Sequence, residues 1–251
     1  MKIRELSVPR VILGGMSNDI PPRLGDAALF QAGVVSRQQA LSCGMSHSAI
    51  ASKVKGGRWR QVYPGVYATL SGPVGRDAQL WAAVLYAGKG AQLSHETAAE
   101  VNGLTERRSR LIHVTIPAGR RVKQPPGVKI HLSAYLDLKA RFPRGVVPHT
   151  LVEETIVDLV DAATSIDEAC GWVTAAFGRR LTGAEALRTT LAARKKLRWR
   201  DRLDEMIVAA AGGAHSVLEF LMRPRRRARA WAAGGQPAGP VHQARRQPRL
   251  P

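Results

Sequence analysis

The sequence predicts an α+β fold, and three patterns carry that expectation. Serine or threonine stands three residues ahead of glutamine or glutamate at Ser36/Gln39, Thr150/Glu153, Ser165/Glu168 and Thr182/Glu185. In that arrangement the two side chains satisfy each other's orphan backbone amides at a helix start. Short apolar runs around Pro64-Gly65, at 111–116 and at 128–132 read instead as strands. Hydrophobic periodicity stops after Met222, so residues 223–251 build no core.

Composition sets the limits. The chain has 251 residues, 45% of them hydrophobic, and 38 Lys+Arg against 19 Asp+Glu for a net charge of +19. That is enough apolar material for one or two domains with cores. The positive excess predicts attraction to polyanions, nucleic acid first, then anionic membranes or acidic proteins. The longest apolar stretches, Leu80 to Ala87 and Met206 to Ala211, fall far short of the ~18 residues of a spanning helix, so no membrane partner is expected. The opening MKIRELSVPRVILGG carries Glu5 and Pro9 where a signal peptide would be apolar, and the expected location is the cytoplasm. Cys43 and Cys170 are too few and too far apart for a disulfide framework or a thiolate metal site.

Taken in order, residues 1–24 contain Gly14-Gly15 and Pro21-Pro22 without sustained period and read as a flexible leader, with Met16 a candidate start. From Gly25 a short helical run through Ala27, Ala28, Leu29 and Phe30 closes at Gly33. Ser36 starts a second helix that runs through Ala40 and Leu41 to Cys43-Gly44-Met45, where Gly44 suits a tight turn and Met45 tucks inward. Ser46 caps a third helix, placing Ile50 and Val54 on one face and Ser46, His47 and Lys53 outward. Trp59, Val62 and Tyr63, then Val66 and Tyr67, flank Pro64-Gly65 as a hairpin.

Two short helices joined by a glycine turn and followed by a hairpin make a winged helix-turn-helix over residues 25–72. Its docking geometry brings Ser46, His47 and Ser48 to base edges of double-stranded DNA, while Lys53, Lys55, Arg58 and Arg60 neutralise phosphates. Arg37, at the start of the preceding helix, would hold the flanking phosphate. Trp59 is expected to anchor the wing to the core rather than stack on a base.

The run VVSRQQALSCGMSHSAIASKVKGGRWRQVYPGVYATL, above all its GRWRQVYPGVYA piece, resembles the N-terminal domain of the AbiEi-family antitoxins. The resemblance continues through Gln92 to Ala99 and Val101-Asn102-Gly103-Leu104, and fades after about residue 180. It implies the regulatory half of a type IV toxin–antitoxin system, paired with a nucleotidyltransferase-like toxin. The winged domain of that family is implied to repress its own promoter, and the following domain to serve the antitoxin role.

Residues 73–211 read as a small mixed α+β domain. Leu80/Val84 and Trp81/Leu85 mark a helix over Arg76 to Ala87, Ser94 caps a second that Gly103 ends, and 111–116 and 128–132 belong to one sheet. Three capped helices follow, the first with an apolar stripe of Val152, Ile156, Leu159, Val160 and Ala163. His95, His113, His131 and His149 fall on separate elements, without an HxxxH or HxH pair or a carboxylate at partner spacing, so no metal is expected. His113 and His131 are placed to face each other across neighbouring strands. Ser94-His95-Glu96 are consecutive and cannot converge as a triad. Gly56-Gly57 leads into a strand rather than a phosphate-binding helix. No catalytic residue and no cofactor is expected, and the chain does not read as an enzyme.

Residues 212–251 read as a remnant helix and a disordered basic tail. The HSxxE stretch ending at Glu219 resembles the first helix of a very-short-patch-repair-like endonuclease domain. That chemistry needs further acids to hold a divalent cation, and no Asp or Glu follows Glu219. Residues 223–251 hold eight arginines and neither lysine nor acid. Such composition is what a GC-rich gene read out of frame produces, so a frameshift near Phe220 is expected; the alternative is a genuine basic arm making nonspecific phosphate contacts. The leading functional expectation is a DNA-binding transcriptional regulator. The alternatives are a truncated, inactive DNA endonuclease with a winged targeting module, and an antitoxin acting through protein contacts.

Overall fold

The computed structural model describes residues 20–70, 72–136 and 142–211. The expected leader up to residue 19, the helix remnant carrying Glu219 and the arginine tail lie outside the described residues.

The fold is α+β and opens with a winged helix-turn-helix. Helix α1 (Pro22–Phe30) starts at a proline, whose missing N–H is no loss in a first turn. It begins ahead of the Gly25 expected from sequence, and Leu24 is already fully buried. Strand β1 (Val34–Ser36) leads into α2 (Arg37–Ser42) and α3 (His47–Lys55); β2 (Arg60–Tyr63) and β3 (Val66–Ala68) form the wing. Both halves of the capping box at α2 are present, with Gln39 N donating to Ser36 Oγ at 3.1 Å and Ser36 N to Gln39 Oε1 at 2.8 Å. Gly44 turns the chain between α2 and α3 at φ +88°. β1 was not foreseen as a strand: it pairs with β3 through Val34↔Ala68 and Val35↔Tyr67, giving the sheet order β1-β3-β2. Leu24, Ala28, Val35, Ala40, Met45, Ile50, Trp59 and Tyr67 form the core of this part.

Helix α4 (Arg76–Ala87) packs on β1 and β3, sharing a core with Val34 and Val66, and also covers one face of a second sheet through Ile112, Val114, Ile116 and Val128. That sheet is made of β4 (Gln92–Leu93), β5 (Ile112–Pro117) and β6 (Val128–Ser133), with β5 at its centre. β4 runs antiparallel to β5, whereas β6 runs parallel to it, from Ile112↔Val128 to Pro117↔Ser133. Since successive strand side chains alternate in direction, His113, Thr115, His131 and Ser133 share the face away from α4. Helix α5 (His95–Val101) lies between β4 and β5 in the chain and packs on β5.

Helices α6 (Val152–Ala162), α7 (Ile166–Gly178), α8 (Ala184–Ala193) and α9 (Arg200–Ala211) complete the fold around a third core. The stripe Val152, Ile156, Leu159, Val160 and Ala163 faces that core. Of the three caps expected here only Ser165 acts, accepting from Glu168 N at 3.2 Å. Leu151 and Gly183 occupy the cap positions of α6 and α8. The Thr150 hydroxyl instead lies 2.8 Å from Thr155 Oγ1, and the Thr182 hydroxyl donates to Glu153 Oε1 at 2.5 Å. Ser94 holds the cap position of α5 without capping it; its hydroxyl is 3.0 Å from His95 Nδ1. In each case a nearer partner competes successfully for the hydroxyl. Among the described residues, no helix is long and apolar enough to cross a membrane.

Candidate nucleic-acid interface

Helix α3 buries one side and leaves the other open. Ile50 and Lys53 are buried, and Ala49 and Val54 half-buried, whereas His47, Ser48, Ala51, Ser52 and Lys55 are exposed. The exposed residues fall at 47/51/55 and 48/52, which is one helical face. Small side chains at its middle let the helix backbone come close to a groove floor.

The wing stands beside that face. Pro64-Gly65 turns between β2 and β3, with Gly65 at φ +75°. Arg58 and Arg60 are exposed, and Arg60 Nη2 donates to the Gly72 carbonyl at 2.7 Å. Trp59 is 2% exposed and tilts against Tyr67 with ring centroids 5.7 Å apart, so it anchors the wing to the core. Arg37 ties the start of α2 to the same structure: its amide donates to the Gly65 carbonyl at 2.7 Å. Its guanidinium donates to the Tyr67 hydroxyl from Nε at 3.1 Å and Nη2 at 2.9 Å. Arg37, His47, Ala51, Lys55, Gln61 and Tyr67 border an open depression of about 450 Å³ between α3 and the wing. Between residues 20 and 70 the chain carries six Lys and Arg against Asp26 as its single acid.

The structure corrects one assignment. Lys53 was expected to point outward to phosphate, yet it is 4% exposed. It stands one turn from Ile50 on the side of α3 that meets the core, and its carbonyl accepts the Trp59 amide at 3.0 Å. Ser46 is exposed and caps α3 as expected, its oxygen accepting the Ala49 amide at 3.1 Å and lying 2.9 Å from Ser48 Oγ. Sequence reading overlooked Ser52, which shares the exposed face with Ser48 at i+4, and Tyr67, a buried side chain whose hydroxyl holds the exposed Arg37. The helical spacing gave a signal for Ser52; nothing local gave one for the Arg37–Tyr67 contact.

A second polar cluster lies on the β5–β6 face. His95, His113 and His131 each bring a ring nitrogen within 4.8 Å of the others, although they come from α5, β5 and β6. The expectation that separate elements keep these histidines apart fails, because parallel pairing and the docking of α5 converge them. His113 and His131 do face each other across the strands, Nδ1 to Nε2 at 3.1 Å. His149 is elsewhere, with Nδ1 2.7 Å from the Val147 carbonyl. Burial lowers the pKa of His95 to about 3 and of His131 to about 4, in both cases with help from neighbouring positive groups. Burial also lowers that of His113, against a nearby Glu96.

None of the curated proteins matches the chain. Among solved structures it is similar to the RV2827C protein from Mycobacterium tuberculosis, with 17% identity over 82% of this chain and 83% of that one, and a TM-score of 0.47. Residues 23–69, from α1 through β3, match the family model described as transcriptional regulator, AbiEi antitoxin.

Proposed function

We propose that the chain is a DNA-binding transcriptional regulator whose α3 enters the major groove of double-stranded DNA while the wing follows the phosphates. The observation that carries this reading is the uncovered polar face of α3, with Arg37 and Lys55 on the depression beside it and Arg58 and Arg60 exposed where the chain enters the wing. Ser46, His47 and Ser48 contact base edges, and the four basic residues contact backbone. Residues 25–72 act as the DNA-binding unit and residues 73–211 as a second unit. The description of the matched family supports a transcriptional regulator and antitoxin; the finer reading proposed with it is a cytoplasmic protein, not an enzyme, that represses its own promoter and has a nucleotidyltransferase-like toxin as partner.

The test is titration of the full chain, and of a chain ending at Met222, against its own upstream DNA and scrambled DNA over a salt series. Both chains are expected to prefer the upstream DNA, with log affinity falling linearly with log salt. Arg58→Ala is expected to weaken binding to all sequences and lower the salt slope by about one, and His47→Ala to alter sequence preference. Equal affinity for both DNAs, or binding only with the arginine tail, overturns the reading.

A further inference from the structure

We propose that His95, His113 and His131 form a binding site for one divalent transition-metal ion of the zinc class, clamping α5 to the β5–β6 pair.

The placement of the rings follows from the fold. Parallel pairing sets His113 opposite Lys129 and His131 opposite Thr115, so the two histidines sit one diagonal step apart on the same sheet face. His95 is the first residue of α5 and has φ +51°, a left-handed backbone unusual for a residue with a side chain. Strain of this kind persists only where the surroundings impose it, and it gathers at functional sites. The His95 ring stacks on His131 with centroids 3.8 Å apart and planes at 17°, and its centroid is 5.6 Å from that of His113.

The spacing suits a small cation. Zinc–imidazole bonds are about 2.0–2.1 Å, so two ligand nitrogens of a tetrahedral site lie about 3.3 Å apart. His113 Nδ1 and His131 Nε2 stand at 3.1 Å, already near that separation. The third nitrogen, within 4.8 Å of both, closes by rotation of the His95 ring. Ser94 Oγ lies 3.0 Å from His95 Nδ1 and is fully buried; when it accepts the Nδ1 proton, Nε2 is left for the ion, the way outer partners commonly fix a ligand tautomer. Thr97 of α5 accepts the His113 amide at 2.9 Å, locking the helix to the strand that carries the second ligand.

The chemistry is consistent with the same ion. Each imidazole offers the ion a neutral nitrogen donor once its other nitrogen carries the ring proton. Three imidazoles without a carboxylate favour zinc, copper or nickel over calcium and magnesium, which take oxygen ligands. The fourth position is left to water or an external ligand.

The full chain, stripped with chelator and dialysed, is titrated with Zn2+ by calorimetry and with Co2+ by visible absorption. One ion per chain is expected, with a higher thermal midpoint in the presence of metal. His113→Ala and His95→Gln are expected to weaken Zn2+ binding at least tenfold, while His149→Ala binds as the parent does. Circular dichroism identifies any variant that fails to fold. X-ray absorption of the zinc-loaded unmodified chain then counts imidazole neighbours without recourse to variants, and three are expected. Absence of a one-to-one complex, unchanged affinity in folded His113→Ala or His95→Gln, or fewer than three imidazoles around the ion overturns the proposal.

Discussion

The hydroxyl of Tyr67 accepts two hydrogen bonds from the Arg37 guanidinium, from Nε at 3.1 Å and from Nη2 at 2.9 Å. The Tyr67 ring is 2% exposed, so a core side chain steers a surface cation. A guanidinium already held in one direction gives up less freedom on meeting a phosphate than a mobile one. Tyr67→Phe keeps the ring and removes the tie. It is expected to reduce affinity for every DNA by about 1 kcal/mol, roughly fivefold. Adding it to Arg37→Ala brings no further loss, because both act through one contact. Anisotropy titrations of the four combinations check this; additive losses would show that Tyr67 does not act through Arg37.

Lys53 and Lys55 separate two roles on one helix. Lys55 is exposed on the open face of α3 and Lys53 lies on the buried one. Lys55→Ala is expected to weaken binding to all sequences and lower the salt slope by about one phosphate contact. Lys53→Ala leaves the salt slope unchanged and lowers the urea midpoint, since its side chain is buried in the fold rather than open to phosphate. A slope change with Lys53→Ala and none with Lys55→Ala would reverse the assignment.

How much of this was legible in the sequence depended on the range of each interaction. The Ser36/Gln39 box was readable because both partners lie within one turn, and the bond Gln39 makes to Gln31 uses its Nε2 and leaves Oε1 to the cap. The same pattern at Thr150 and Thr182 misled, because Thr155 and Glu153 reach those hydroxyls. β1 has three residues, too few to show alternation, and needs β3 to become a strand at all. The face Lys53 occupies depends on where the core meets α3, which helical spacing alone does not say. The histidine cluster was least visible: its members are eighteen residues apart in sequence, and only the parallel pairing of β5 with β6 and the docking of α5 bring them together.

Gly33 and Gly44 are both left-handed, but their surroundings predict different tolerances. A Cβ on Gly33 would meet Leu70 Cδ1 at 2.2 Å and Cγ at 2.5 Å, at φ +80°. On Gly44, at φ +88°, it would meet nothing within 4 Å. Gly44→Ala is therefore expected to cost about 1 kcal/mol of backbone strain alone. Gly33→Ala adds displacement of Leu70 beside the β1–β3 pairing and is expected to cost about 1–3 kcal/mol more. Urea unfolding of the two variants checks the order, and equal losses would mean that Leu70 yields freely.

Acid should loosen the part of the fold that holds the histidines. Burial lowers the pKa of His95, His113, His131 and His149, to about 3 for His95 and about 4 for His131. Lys129 lowers the three clustered histidines further and Arg194 lowers His95, while Glu96 opposes at His113. The unfolded chain takes up protons on these rings near pH 6.5, where the folded chain does not. Stability from this source is thus intact above pH 6.5 and falls as the pH drops toward about 4. Asp158 works the other way. Burial raises its pKa to about 6 despite Arg194 at 2.9 Å, so the folded chain holds that proton first and gains stability as the pH falls below 6. Four rings outweigh one carboxyl, and the urea midpoint is expected to fall between pH 7 and pH 5. His131→Gln should flatten that dependence, and Asp158→Asn should steepen it by removing the opposing contribution. A midpoint that rises on acidification, or a slope indifferent to His131→Gln, would show that these rings are not held neutral by the fold.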